Sequence, residues 1–420
     1  MSRCCGAKNE SPVTVTSTDP CCPPEVACAG HGDSAVAVLS PRFAAMVENN
    51  LEYAEAAHAA GRPIVGIMCE FTPREIILAA GALPVCLCGG SADTIPAAEE
   101  ELPGMLCPLI KSTYGYLITK ENPFLEMAAL VVAETTCDGK KKMYELMAER
   151  IPMHLVELPQ RENSPEAFAL WLAELRRLRA ALEERFGVQI TDDKLREAIR
   201  TMNRERQSRM ALAGLLKQDC PPITGRQLLE LKSLISGNPE DLAEYDRLLA
   251  LLAGAKGPAE LAGRTRVLLT GVPLPHGAER VMDLIEESGG LIVAQENCTG
   301  IKPLVEMVDE GDADPLAAIA RKYFHLPCSV MTPNLGRFDL LKQLVAEYRP
   351  DCVIEVVWQA CLTYDVEAVR VKRLAHELGL AYLRINTDYS PSDSARIAIR
   401  IEALFETVQH NRQRAGGRQA

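Results

Sequence analysis

A chain of 420 residues with 47% hydrophobic and 24% charged side chains can bury two or three cores, which excludes a wholly disordered protein. Its 57 acidic residues outnumber 45 basic ones, and the formal charge of −12 argues against a nucleic-acid partner. No apolar run approaches the roughly 20 residues of a membrane helix, and the opening MSRCCGAKNESPVTV lacks the apolar core of a secretory signal, so a cytoplasmic protein with no membrane partner is expected.

Residues 1–40 are rich in Ser, Pro, Gly, Thr and Cys without apolar periodicity, and read as a flexible tail holding Cys4, Cys5, Cys21, Cys22 and Cys28. A first α/β unit is expected over 41–162. Residues 63–68 form a short buried strand, and Thr72-Pro73-Arg74-Glu75 reads as a capping box with Pro at the first helical position. Further strands are expected at 83–88, 129–134 and 153–158, with Asp138 capping the helix that carries Met143, Leu146 and Met147. Residues 163–262 change character. Long, charged, amphipathic segments at 165–186, 192–216 and 227–235 indicate a helical insert.

The strand–helix alternation returns over 263–410. Strands are expected at 267–271, 291–294, 352–358 and 381–385, and helices at 279–287, 334–347, 363–376 and 392–409, with 411–420 a loose tail. The fold class is therefore α/β: two doubly wound, Rossmann-like (flavodoxin-like) parallel sheets joined by the insert, related as a distant internal duplication.

Fifteen cysteines are unusual for such a chain. In a reducing compartment they point to metal or redox chemistry rather than structural disulfides. Six fall at connections past strand ends or before helix starts: Cys69, Cys107 and Cys137 in the first unit, and Cys298, Cys328 and Cys361 in the second. The crevice at the carboxyl ends of parallel strands is where ligands bind, and a helix N-terminus favours a thiolate. Three converging thiolates suit one iron–sulfur cubane with one iron left open. Any one of these residues alone reads as an ordinary buried cysteine. The repeated context is what argues for ligation. Cys86 and Cys88 share a strand face and read as core packing, with Cys88 a candidate neighbour of the ligands. Cys220 and Cys352 receive no role. The absence of any CxxC pair weakens zinc, and no phosphate-binding or dinucleotide-binding loop occurs.

The segments Cys69-Glu-Phe-Thr-Pro-Arg-Glu-Ile-Ile-Leu-Ala-Ala-Gly81, Leu106-Cys-Pro-Leu-Ile-Lys-Ser112 and Glu134-Thr-Thr-Cys-Asp-Gly-Lys-Lys-Lys-Met-Tyr144 resemble the 2-hydroxyacyl-CoA dehydratase D-component family, which includes benzoyl-CoA reductase subunits. Within it, Glu296-Asn-Cys298, Pro327-Cys328 and Gln359-Ala-Cys361 resemble the double-cubane cluster proteins. The resemblance implies two 4Fe–4S cubanes bridged by sulfide in one chain, with three of the six cysteines serving each. It also implies a separate ATP-hydrolysing iron–sulfur activator as partner. A homodimer acting on a small-molecule substrate is expected.

Glu70, Glu134 and Glu296 lie beside ligand candidates and are the candidate proton donors, against the plainer reading that Glu70 and Glu134 cap or solvate turns. Lys111, Lys140, Lys141 and Lys142 flank Cys107 and Cys137. Such charge near a cluster raises its potential, whereas a lysine run is ordinarily a solvated face. His154, His276 and His325 read as structural. Three functions compete: an ATP-dependent, low-potential double-cubane reductase; a 2-hydroxyacyl-CoA dehydratase subunit with one cubane; and a non-catalytic electron carrier. The second set of three cysteines favours the first.

Overall fold

The segments Ile64–Ile67, Ala128–Glu134 and Gly290–Glu296 carry no charge before their last positions, the pattern of strands covered on both faces. The computed structural model describes residues 39–416 and forms two four-stranded parallel sheets. β1 (Ile64–Ile67), β2 (Leu83–Cys86), β3 (Ala128–Glu134) and β4 (Met153–Val156) lie in the order β2-β1-β3-β4. β5 (Thr265–Gly271), β6 (Gly290–Glu296), β7 (Cys352–Trp358) and β8 (Ala381–Thr387) repeat it as β6-β5-β7-β8. The doubly wound α/β reading therefore holds, and the switch point of each sheet falls between its two central strands.

Three helices of the first half matter for the site: α1 (Arg74–Ala79), α2 (Pro108–Thr119) and α3 (Asp138–Ala148). Two expected caps are not used as caps. The Thr72 hydroxyl donates to the Glu134 carboxylate, a partner from another strand, and α1 begins without a side-chain cap. Asp138 occupies the first turn of α3 and pairs with Lys141, while Cys137 stands at the cap position.

The insert contains α4 (Pro165–Phe186), α5 (Asp192–Gly214), α6 (Gly225–Glu230) and α7 (Pro239–Leu252). The expected helix over 227–235 is shorter than its apolar pattern suggests. After α6 the chain extends and runs along β2: Cys86 N donates to Leu234 O at 2.9 Å, and Ser236 N to Pro84 O at 3.1 Å. The insert thereby covers the edge of the first sheet. Thr224 forms a complete capping box with Gln227 at the start of α6. Thr224→Ala should cost about 1 kcal/mol, read as a lower denaturant midpoint with an unchanged slope.

In the second half, α8 (Pro315–Phe324) fills a stretch where no element was expected, followed by α9 (Leu335–Tyr348), α10 (Leu362–Glu377) and α11 (Ser394–Gly416). The last helix continues through residues 411–416, which the sequence pattern assigns to a loose tail. Its apolar positions Ile397, Ile401, Leu404, Phe405 and Val408 pack into the core and carry the helix that far.

The halves and the insert are locked by buried polar contacts. Trp171 of α4 is fully buried, and its indole N–H donates to Ala320 O of α8 at 3.1 Å. Glu75 of α1, also fully buried, accepts from Arg206 of α5 at 2.5 Å and from the Tyr323 hydroxyl of α8 at 2.8 Å. First half, insert and second half thus meet at one carboxylate. Among the described residues, no helix is long and apolar enough to cross a membrane.

Candidate functional site

The carboxyl ends of both sheets open onto one cavity of about 940 Å³. Each strand delivers its loop there because parallel strands share one polarity. Cys69 follows β1, Cys107 immediately precedes α2, and Cys137 stands between β3 and α3. Cys298 follows β6, Cys328 lies between α8 and α9, and Cys361 stands between β7 and α10. All six line this cavity, and so do Cys86 and Cys88. Met105 and Leu362 also line it yet remain largely exposed, so the cavity reaches solvent on that side.

The thiols associate in pairs, one across the halves and one within the second. The Cys361 thiol donates toward Cys107, which holds Cys107 below the ordinary thiol range and Cys361 above it. The Cys298 thiol donates toward Cys328, which brings Cys328 down to about 6 despite its burial. Burial pushes Cys69 up to about 12, with Cys328 among its charged neighbours. Cys137 is raised by burial and feels Cys361 and Cys328. The sequence grouped three thiols per half. In the structure the neighbours of Cys137 include both Cys361 and Cys328, and Cys69 neighbours Cys328 and Cys298.

The three carboxylates occupy different places. Glu70 lines the cavity, paired to Arg74 at 2.7 Å and to Lys232 at 3.2 Å. Burial opposes its ionisation, but Arg74 and Lys232 outweigh it and hold the carboxyl at about 2. Glu134 is fully buried and keeps Oε2 without a hydrogen-bond partner, and burial raises it to about 7. Glu296 is fully buried between Lys302 at 2.8 Å and Arg337 at 3.1 Å, and these cations keep it ionised against its burial. Glu134 and Glu296 therefore stand behind the cavity wall, not in it.

The lysine run separates on folding. Lys140 is drawn inward, its Nζ donating to Met68 O at 2.7 Å beside Cys69, Cys88 and Cys137. Lys141 lines the cavity but pairs with exposed Asp138, and Lys142 pairs with Glu145 at the surface. Lys111 is taken by Glu99 and the Gly104 carbonyl. Of the histidines, His276 lines the cavity, with Nε2 3.3 Å from Lys232 O.

Sequence reasoning missed Lys232, Lys302 and Tyr364. Lys232 bridges Glu70 and the Cys298 carbonyl, at 3.5 Å from the latter. Lys302 is fully buried, donates to the Tyr364 hydroxyl at 3.0 Å and sits near Cys298 and Cys328. Nothing local marks these lysines. Cys220 bonds the Gly257 and Pro258 carbonyls, and Cys352 is buried at the foot of β7, so neither lines the cavity. Cys4, Cys5, Cys21, Cys22 and Cys28 lie outside the described residues.

This donor set is soft and thiol-rich, the chemistry that iron–sulfur clusters require. Among the described residues, no three or more His, Cys, Asp or Glu side chains close around a point to hold a single ion. The cysteines ring a volume instead, and a multinuclear group fits that arrangement.

Comparison with known proteins matches residues 69–408 to the family described as 2-hydroxyglutaryl-CoA dehydratase, D-component. The YjiM protein of Escherichia coli (strain K12), provisionally described as a dehydratase subunit, is 42% identical over 353 residues, 83% of this chain and 92% of that protein. The (R)-phenyllactyl-CoA dehydratase beta subunit of Clostridium sporogenes is 24% identical over 374 residues, 87% and 97% of the two chains. A benzoyl-CoA reductase subunit from Thauera aromatica is 25% identical over 270 residues, 63% and 68%.

Proposed function

Because the chain belongs to the 2-hydroxyglutaryl-CoA dehydratase D-component family, we propose that it is a low-potential reductase of small molecules whose cavity holds a double-cubane iron–sulfur cluster. The observation that carries this reading is the meeting of six loop thiols, three from each half, in one cavity. Cys107, Cys137 and Cys361 would hold one cubane, and Cys69, Cys298 and Cys328 the other, with sulfide bridging the two. When bound, the cluster supplies electrons at very low potential.

The chain's own residues prepare the site for that charge. Lys140 and Lys302 bring buried positive charge to the two groups of thiols. Lys140→Met should make the cluster harder to reduce, by on the order of 100 mV for a charge acting through an effective dielectric constant of about 20. A redox titration followed by EPR reads that shift, and an unchanged potential would remove Lys140 from this role. Glu70, held ionised, orients Lys232 against the Cys298 carbonyl and is a positioning residue. Burial raises Glu134 to about 7, and from behind the cavity wall it would exchange a proton only through its neighbours, of which the Thr72 hydroxyl donates to it.

The sequence contains no phosphate-binding loop, so ATP hydrolysis would fall to a separate iron–sulfur activator that injects the electrons. The test is anaerobic reduction of small unsaturated substrates with activator, ATP or reductant omitted in turn. Turnover is expected only with all three, and equal turnover without activator and ATP would reject the coupling. The dehydratase names of the relatives favour a second reading, a dehydratase subunit with one cubane. Dehydration of an added 2-hydroxyacyl-CoA, with no reduction of any small substrate, would select it.

A further inference from the structure

Counting from the strand ends leaves one thiol over. Cys137 lies three residues past the end of β3, as Cys361 lies three past the end of β7. Cys298 lies two residues past the end of β6, and the residue two past the end of β2 is Cys88. Because the sheets share one strand order, Cys88, Cys107 and Cys137 occupy the topological positions of Cys298, Cys328 and Cys361. Cys69 is the member without a counterpart, since Pro273 stands two residues past β5.

Cys88 is also placed to act. It lines the cavity with the other thiols, and its Sγ lies 3.5 Å from Met68 O. That carbonyl, next in the chain to Cys69, also receives Lys140 Nζ at 2.7 Å. Cys88 Sγ and Lys140 Nζ therefore meet at the carbonyl that precedes Cys69. The following loop cannot swing away. Gly89 N donates to Thr113 Oγ1 at 3.0 Å, and the Tyr389 hydroxyl of the second half donates to Gly89 O at 3.0 Å. A Cβ on Gly90 would come within 2.1 Å of His276 O, so the two halves touch backbone to backbone here. Cys86 faces the same side but occupies the last position of its strand, where the second half has Glu296.

We propose that Cys88 is a seventh thiolate ligand, which takes the iron left open by Cys69, Cys298 and Cys328 when the sulfide bridge opens. The inference rests on the double-cubane reading. One iron–sulfur bond to Cys88 forms, that iron's bond to the bridging sulfide breaks, and the thiol proton passes to the sulfide, with no electron transferred. Cys88 then keeps the iron coordinated while the bridge is open to a small substrate.

The experiment uses the full chain, anaerobically reconstituted, as wild type, Cys88→Ala, Cys88→Ser and Cys220→Ser. Iron, acid-labile sulfide, the EPR spectrum of the reduced protein and iron release to a chelator are measured, with circular dichroism reporting the fold. Both Cys88 variants should show an altered spectrum and release iron about ten-fold faster or more, while Cys220→Ser matches wild type. Cys88 variants with wild-type spectrum and release rate would overturn the proposal. Were Cys88→Ala not to fold, the Cys88→Ser result decides alone. A wild type without iron and sulfide would instead overturn the cluster itself.

Discussion

Replacing any one of Cys69, Cys107, Cys137, Cys298, Cys328 or Cys361 by serine should strip iron from the anaerobically purified protein, which should otherwise hold about eight irons as two cubanes. The expectation follows from where the thiols stand. All six line the cavity, and they associate in pairs, Cys107 with Cys361 across the halves and Cys328 with Cys298 within the second. Losing one thiolate from a set of three leaves two irons of that cubane without a protein ligand, so loss should reach at least the iron of that cubane. The same change at Cys220, bonded to carbonyls away from the cavity, should leave the iron untouched. Iron and sulfide analysis with EPR reads the result. A wild-type protein holding about four irons, or mainly zinc, would contradict the two-cubane reading.

Arg206→Met should destabilise the protein by about 3–5 kcal/mol, because it leaves the fully buried Glu75 without its cation. The Tyr323 hydroxyl still donates to Glu75, but one neutral hydrogen bond does not replace an ion pair in a site that excludes water. The double variant Glu75→Gln with Arg206→Met removes both charges and should recover much of the loss, which separates charge burial from packing. Thermal and urea denaturation measure both. A single variant within about 0.5 kcal/mol of wild type, the range of ordinary surface changes, would show that water reaches this carboxylate.

What the sequence disclosed and what it withheld divide along physical lines. Strands such as β3 and β7 were legible because burial on both faces makes a largely apolar run, broken in β7 only by Glu355, and β7 was placed to the residue. The six loop cysteines were legible because each sits beside a turn or cap signal. The approach of Cys107 to Cys361 was not, because which loops face each other depends on how the halves dock, and docking leaves no local period. Thr72 looked like a cap since its neighbours fit a capping box, and only the fold brings Glu134 to compete for the hydroxyl. The residues after Glu230 kept a helical pattern but were captured by the open edge of β2. Lys232 and Lys302 read as surface charge, the default for lysine, until burial against Glu70 and Glu296 gave them partners.

The cross-half pairing of Cys107 with Cys361 has a consequence for how the protein matures. A polypeptide leaving the ribosome exposes Cys107 long before Cys361 is synthesised, so on the two-cubane proposal no set of three thiols would be complete until the second sheet closes on the first. Delivery of such a cluster would then be an event of the finished chain, not of the nascent one. A carrier handing over iron and sulfide would have to recognise a molecule already folded, through the side where Met105 and Leu362 leave the cavity open.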